Sequence, residues 1–203
     1  MWFEQVAISN QLSFETDTYN NILGNAVFNP NRTRRYFLEK RWAKGENILT
    51  AIMMNPSKAA HNQTDETVDQ IIDVAKSQGC HALYVVNVSS IIDGSSNNLR
   101  DSHFAFEEIN WTFISEAMEK AKIVFISWGL KGQQGIQEYQ VNAFEKILSK
   151  LYCYEVVKSD NKKFTNKPMY YVPHPRPRYE QEKYRNEPIR QITELEFVQL
   201  FFR

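Results

Sequence analysis

Leu49-Thr-Ala-Ile-Met-Met-Asn-Pro-Ser-Lys58 is an apolar run that stops abruptly in three turn-forming polar residues. An apolar segment of this length reads as a strand buried on both faces, the signature of a parallel sheet. Asn55, Pro56 and Ser57 then require the chain to emerge at a surface, because their polar groups favour turns and need partners. In an open α/β sheet, the carboxyl ends of the strands are where ligands bind. The strand at 48–54 is therefore expected to deliver Asn55 to a binding crevice.

The flanking sequence repeats the pattern. Thr64 is a candidate N-cap, with Asp65, Glu66 and Thr67 in the first turn of a helix running to about Ser77 and closed by Gly79. Val68, Ile71, Ile72 and Ala75 fall on one face of it. Ala82 to Val88 is a second buried strand, followed by a polar loop over 89–103 and a helix over 105–120. Lys122 to Ser127 is a third strand, ended by Trp128-Gly129. A helix over 136–150, an extended segment over 152–158 and a polar Lys/Asn turn precede a fourth strand at 168–172, which ends at Pro173-His174-Pro175. A closing helix is expected over 188–202. Before the first strand, segments 25–29 and 34–42 joined by Asn29-Pro30-Asn31-Arg32 predict an antiparallel hairpin; residues 1–24 read as a helical or irregular lead-in. Strands alternating with helices predict an α/β fold, a three-layer sandwich around a mostly parallel four-stranded sheet.

Composition sets bounds on this reading. A chain of 203 residues, 42% hydrophobic, is long enough for one well-packed domain and short for two. The expected division is an extension and hairpin over 1–45, a core over 46–178 and a C-terminal helix within 186–203. No apolar run approaches the ~20 residues of a membrane span, and Met-Trp-Phe-Glu-Gln lacks the form of a secretory signal, so a cytoplasmic protein with no membrane partner is expected. Cys80 and Cys153 have no metal-ligand spacing and are expected to be reduced and structural. His61, His81 and His103 likewise lack ligand spacing, and no metal or cofactor is expected.

The net charge of zero conceals two basic segments. Residues 32–45 hold Arg32, Arg34, Arg35, Lys40, Arg41 and Lys44 against Glu39 alone, and 158–190 is basic by a similar margin. Brought together they would form a phosphate-binding face; apart, they are solvated faces.

In a parallel sheet the four predicted strands would place Asn55, Asn87, Trp128 and His174 on one rim. Each has a plainer reading: Asn55 as a turn former, Trp128 as core, His174 as a loop residue, and Asn87 as a buried amide with structural partners. The order of these motifs resembles the uracil-DNA glycosylase superfamily, whose first strand ends in Gly-Gln-Asp-Pro-Tyr or Gly-x-Asn-Pro-Gly, whose second delivers a base-reading Asn, and whose later strands end in Trp-Gly and His-Pro-Ser. The stretch from Arg35 to Trp42, on through Ile52-Met-Met-Asn-Pro-Ser-Lys-Ala59 to Thr64-Asp-Glu-Thr67, is similar to an uncharacterised family of bacterial and phage domains with an Asn-Pro-Ser-Thr-Ala signature.

The resemblance implies a strand order of 2-1-3-4 and a DNA glycosylase that needs no metal and no organic cofactor. It casts Asn55 as the residue that orients the attacking water and His174 as the donor to the leaving base. Asn87, with Trp128 beside it, would bind the flipped pyrimidine. Ser57, Lys58, Arg34, Arg35, Arg176, Arg178 and Tyr179 are the implied DNA contacts. The partner implied is DNA, bound by a monomer, in base excision or phage defence.

The sequence also departs from that pattern. Residues 56–83 contain no Phe, Tyr or Trp to stack on a base, Met53-Met54 stands where a Gly is usual, and Lys167-Pro-Met-Tyr170 replaces His-Pro-Leu-Tyr. A modified pyrimidine, such as those of phage DNA, fits these departures as well as uracil does. Two other classes remain open: a non-catalytic nucleic-acid-binding module, and an enzyme acting on free nucleosides or nucleotides.

Overall fold

The structure is a computed structural model that describes residues 1–94, 98–159 and 169–202, less the side chains of 138 and 139. Its strands are β1 Ser13–Tyr19, β2 Ile22–Phe28, β3 Arg35–Arg41, β4 Ile48–Met53, β5 Ala82–Asn87, β6 Ile123–Ile126, β7 Leu151–Cys153, β8 Val157–Ser159, β9 Met169–Tyr171 and β10 Arg190–Gln191. The helices are α1 Trp2–Ser9, α2 Glu66–Ser77, α3 Glu108–Lys120, α4 Gly129–Gly135, α5 Glu138–Glu145 and α6 Glu194–Phe201.

Among the described residues the main sheet has eight strands in the order β1-β2-β3-β5-β4-β6-β7-β10. Four of them, β5, β4, β6 and β7, are parallel, and the first three stand in the predicted order 2-1-3. The expectation of a four-stranded sheet is corrected in two respects. The hairpin β2-β3 joins the sheet edge to edge through β3 and β5, and the lead-in supplies both a helix and a third antiparallel strand, β1. The fourth parallel strand is β7, not 168–172, which pairs antiparallel with β8 in a separate two-stranded ribbon. Three-residue strands such as β7 carry too little alternation to be told from a loop by pattern alone.

Burial explains the central elements. Every residue of β4 and β5 is buried, as the apolar runs require, and the one hydroxyl of β4, Thr50 Oγ1, donates to the Ala117 carbonyl at 2.8 Å. One apolar layer, with α1, α3, α5 and α6, includes Phe3, Phe113, Phe144 and Phe197; the other, with α2, includes Val68, Ile71 and Ile72. Helices thus cover both faces. α2 is capped by Asp65 in place of the expected Thr64: its Oδ1 accepts from the N–H of Thr67 at 3.1 Å and of Val68 at 2.9 Å. Gly79 follows the helix at φ +68°, a left-handed position that other residues enter at a cost. The predicted helix over 136–150 is split, with α4 starting straight from Gly129 (φ +70°) at the end of β6 and α5 ending at Glu145. The polar turn expected before residue 168 lies outside the described residues, as do Lys167 and Pro168.

A register shift decides what β3 presents. Phe28 pairs with Arg35 and Val27 with Phe37, so Tyr36 is an extra residue on the β3 side. A bulge of this kind reverses the alternation of side chains. Arg35 consequently faces the α2 layer with Leu38 and Lys40, while Tyr36 and Phe37 both enter the opposite layer.

Candidate functional site

The loop after β4 is held against the sheet by two buried cations. Lys40 Nζ donates to the carbonyls of Ala60 at 2.7 Å and His61 at 2.9 Å, and Arg35 Nη1 donates to the carbonyl of Ala59. Burial pushes the Lys40 ammonium down to about 8, with the nearby Arg35 charge acting in the same direction. Gly24 completes the seat: a Cβ there would stand 1.8 Å from the His61 carbonyl oxygen, so only glycine lets the loop approach.

Segment 172–175 reaches the rim by another route. Although β9 lies outside the main sheet, the Gly129 N–H donates to the Val172 carbonyl at 3.0 Å, Ser127 Oγ to that of Pro173 at 2.6 Å, and Gln70 Nε2 to that of Pro175 at 3.1 Å. The segment therefore spans the end of β6 and the flank of α2. A cleft of about 520 Å³ opens between it and the β4 loop. That volume lies in the range of about 300–1,000 Å³ usual for small-ligand sites.

Seven of the sequence-derived candidates line this cleft: Arg35, Asn55, Ser57, Trp128, His174, Arg176 and Arg178. Asn55 Nδ2 donates to the carbonyls of Pro56 at 3.0 Å and Asp93 at 2.8 Å, which assigns the amide orientation and leaves Oδ1 as the group available for a ligand. Ser57 Oγ donates to Asp65 Oδ2, so one carboxylate both caps α2 and holds the Asn-Pro-Ser turn. His174 Nδ1 lies 3.1 Å from the N–H and 3.0 Å from the carbonyl oxygen of Arg176. Desolvation lowers the imidazole below its ordinary 6.5, outweighing that backbone contact and the charge of Asp65, and His174 is neutral at neutral pH.

Other candidates lie elsewhere or are spent on structure. Asn87 is fully buried at the end of β5 and does not line the cleft; among the described residues its Nδ2 and Oδ1 both lack a hydrogen-bond partner. The Trp128 ring is turned into the core, 5.6 Å from Phe144, with Nε1 donating to Gln133 at 2.8 Å, so it offers no stacking face. Arg34 is bound to Ser90 at 2.7 Å and to Glu107 at 2.8 Å, inside a network that also takes the Tyr36 hydroxyl. Lys58 is exposed outside the cleft, and Tyr179 is 89% exposed beside Arg178. Arg176 lines the cleft but is ion-paired with Glu66, which ties the segment after His174 to the start of α2.

Of the basic residues over 32–45, Arg35 and Lys40 are buried, Arg32 and Arg34 pair with Glu15 and Glu107 from elsewhere in the fold, and Arg41 pairs with Glu39 in the same strand, so the segment is neither one phosphate-binding face nor one solvated face. Charge in a short segment of sequence cannot reveal acids brought to it from elsewhere in the fold.

Sequence reading missed Lys131, Asp93, Gly94 and Thr67, which also line the cleft. Lys131 follows the Trp128-Gly129 strand end, a signal that pointed to this rim. Cys80 and Cys153 are buried and free, and burial raises the Cys153 thiol to about 12. Among the described residues, no cluster of three or more His, Cys, Asp or Glu side chains is placed to hold a metal ion, and no helix is long and apolar enough to cross a membrane.

No curated protein matches the sequence. The model of a family described as a protein of unknown function, DUF1643, matches residues 35–166, a span that takes in Arg35, Asn55 and Trp128 and stops short of His174. The match covers well over half of the chain, which therefore belongs to the DUF1643 family.

Proposed function

We propose that this protein is a DNA glycosylase that hydrolyses the N-glycosidic bond of a flipped pyrimidine, uracil-like or modified, in the cleft at the carboxyl ends of β4 and β6. The observation that carries the reading is the convergence of Asn55 and His174, from strand ends more than a hundred residues apart, on one cleft with four cationic side chains, Arg35, Lys131, Arg176 and Arg178, in its lining. The motif order, similar to that of the uracil-DNA glycosylase superfamily, supports it.

In this mechanism Asn55 Oδ1 accepts a hydrogen bond from a water and aims it at C1′ of the sugar. An amide is too weak a base to remove the proton early, so the rate rests on positioning and on stabilising charge. The water oxygen bonds to C1′ as the bond from C1′ to the base nitrogen breaks, and the bonding pair leaves with the base. The water proton passes to the departing base or to solvent, leaving an abasic deoxyribose. The mechanism requires the tautomer of neutral His174 in which Nδ1 accepts from the Arg176 N–H and the proton sits on Nε2, where it is donated as a hydrogen bond to the base oxygen as negative charge builds.

The test is an abasic-site assay on labelled DNAs carrying uracil, mismatched thymine, or hydroxymethylated or glucosylated cytosine. Base release from one substrate that disappears in Asn55→Ala is the expected result. Absence of release from every substrate overturns catalysis. A second reading, a nucleic-acid- or nucleotide-binding module, is favoured by one observation: neither Asn87 nor the Trp128 ring is available to read or stack on a base. It predicts salt-sensitive binding of DNA with no base loss in the same assay.

A further inference from the structure

Arg35 is a buried cation without an ion pair among the described residues. It is 1% exposed, yet it lines the cleft. Nη1 is held by the Ala59 carbonyl, and among the described residues Nε has no hydrogen-bond partner and no carboxylate forms a salt bridge with the group. Asp65 acts on it only at longer range, its oxygens being committed to Ser57 and to the first turn of α2. Burying a guanidinium is costly unless its donors and its charge are met, and here both are met only in part. Desolvation lowers its pKa only to about 10, so the group stays charged at neutral pH.

We propose that the end of the cleft formed by Arg35, Ser57 and the start of α2 is a phosphate subsite, where a nucleotide phosphate supplies the anion that Arg35 lacks. Two features select phosphate. A guanidinium presents parallel donors that match phosphate oxygens two at a time. Arg178, on the opposite lip and without a carboxylate partner among the described residues, adds a second cation, so the lining suits more than one negative charge. The bulge at Tyr36 is what turns Arg35 to this side of the sheet.

Identifying the phosphate as that of a nucleotide rests on the glycosidic reading above; anion binding at Arg35 does not. The phosphate can come from the DNA backbone beside a flipped base or from a free nucleotide, and calorimetric titration separates the two. Wild-type protein is titrated with inorganic phosphate, with deoxyuridine monophosphate and with a short single-stranded oligodeoxynucleotide, at constant ionic strength. Inorganic phosphate is expected to bind and to raise the thermal midpoint. In Arg35→Lys its affinity should fall about tenfold or more, the scale of one lost charge-assisted bond, while Lys44→Ala, at an exposed position away from the cleft, should bind as wild type.

If Arg35→Lys does not fold, Arg178→Ala, at an exposed position, decides, with weaker phosphate binding expected in a folded protein. Binding of the monophosphate alone names a free nucleotide, and binding of the oligonucleotide names the backbone; either supports the subsite. No binding of inorganic phosphate at millimolar concentration, or equal binding by wild type, Arg35→Lys and Arg178→Ala, overturns it. Base release without phosphate binding removes the subsite and leaves the glycosidic reading standing, whereas phosphate binding without base release does the reverse.

Discussion

Asn55 shows how one side chain joins structure to chemistry. Its amide N–H groups satisfy the carbonyls of Pro56 and Asp93, which keeps the turn after β4 in shape and points Oδ1 away from them. Asn55→Ala is expected to lower folding stability by about 1–3 kcal/mol, the cost of leaving such acceptors without their donor, read from urea denaturation alongside the loss of base release. Asn55→Asp is expected to be worse at neutral pH than in acid, because a carboxylate would face two carbonyl oxygens. His174 makes a separate pH prediction. Its folded pKa is depressed, so below its ordinary 6.5 the unfolded chain binds more protons than the folded one, and stability falls as pH drops through that window. Denaturation midpoints at several pH values should show His174→Gln with a shallower loss in acid than wild type; equal slopes would mean that the His174 imidazole is not desolvated in the folded protein. Asn55 and His174 were legible in the sequence because strand ends are marked by abrupt changes of polarity. Asn87 was legible as a strand-end amide, but its depth below the cleft was not, since burial at a strand end depends on what the neighbouring loops cover.

At the scale of the element, β3 and the β4 loop form one unit. Lys40 holds the loop through two carbonyls, and replacing it separates two opposing effects. Lys40→Met removes a buried charge but strips both carbonyls of their donor. The unpaired acceptors are expected to dominate, at about 1–3 kcal/mol for each group left buried and unsatisfied. Denaturant titration together with faster hydrogen exchange near residues 59–61 would show it, and an unchanged or raised midpoint would mean that relief of charge burial prevails. The folded pKa near 8 sets a second sign. Between about 8 and the ordinary 10.5 the unfolded chain holds more protons, so stability attributable to Lys40 rises with pH across that interval and is level below it. None of this was legible in Arg35 to Arg41, which reads as a basic hairpin strand facing solvent. The bulge that turns Arg35 inward lies within the predicted hairpin, and the turn residues that mark a hairpin do not show where its register skips a residue.

Across the whole molecule, the first helix and the antiparallel extension are bound to the parallel sheet by an aromatic cluster. Phe3, 2% exposed, stacks on Phe37 at 4.7 Å and meets Tyr84 at 6.3 Å, while Trp2 lies 5.8 Å from Phe113. These contacts join α1, β3, β5 and α3 into one core. Phe3→Ala is expected to cost about 3–5 kcal/mol, and because the cluster spans both halves of the sheet, unfolding should stay a single transition by fluorescence and by far-ultraviolet dichroism. A separate early transition would show that the extension is held independently.

The sequence alone determined the alternating strands and helices from residue 48 to the end of β6, the hairpin before them and the polar turn after β4 that forms one wall of the cleft. Those features follow from short-range rules: the period of burial in strands and helices, the preference of Asn, Pro, Gly and Ser for turns, and the capping of a helix start. Only the tertiary structure decided that β7 takes the fourth parallel place, that residues 13–19 extend the sheet, and that Trp128 faces the core. It alone also decided that Arg32 and Arg34 meet acids from elsewhere in the fold, while Arg35 lies buried at the cleft with no salt bridge among the described residues. Apart from β1, which a tight turn joins to β2, these outcomes depend on contacts between segments far apart in the chain, where burial and charge pairing are settled by which surfaces meet.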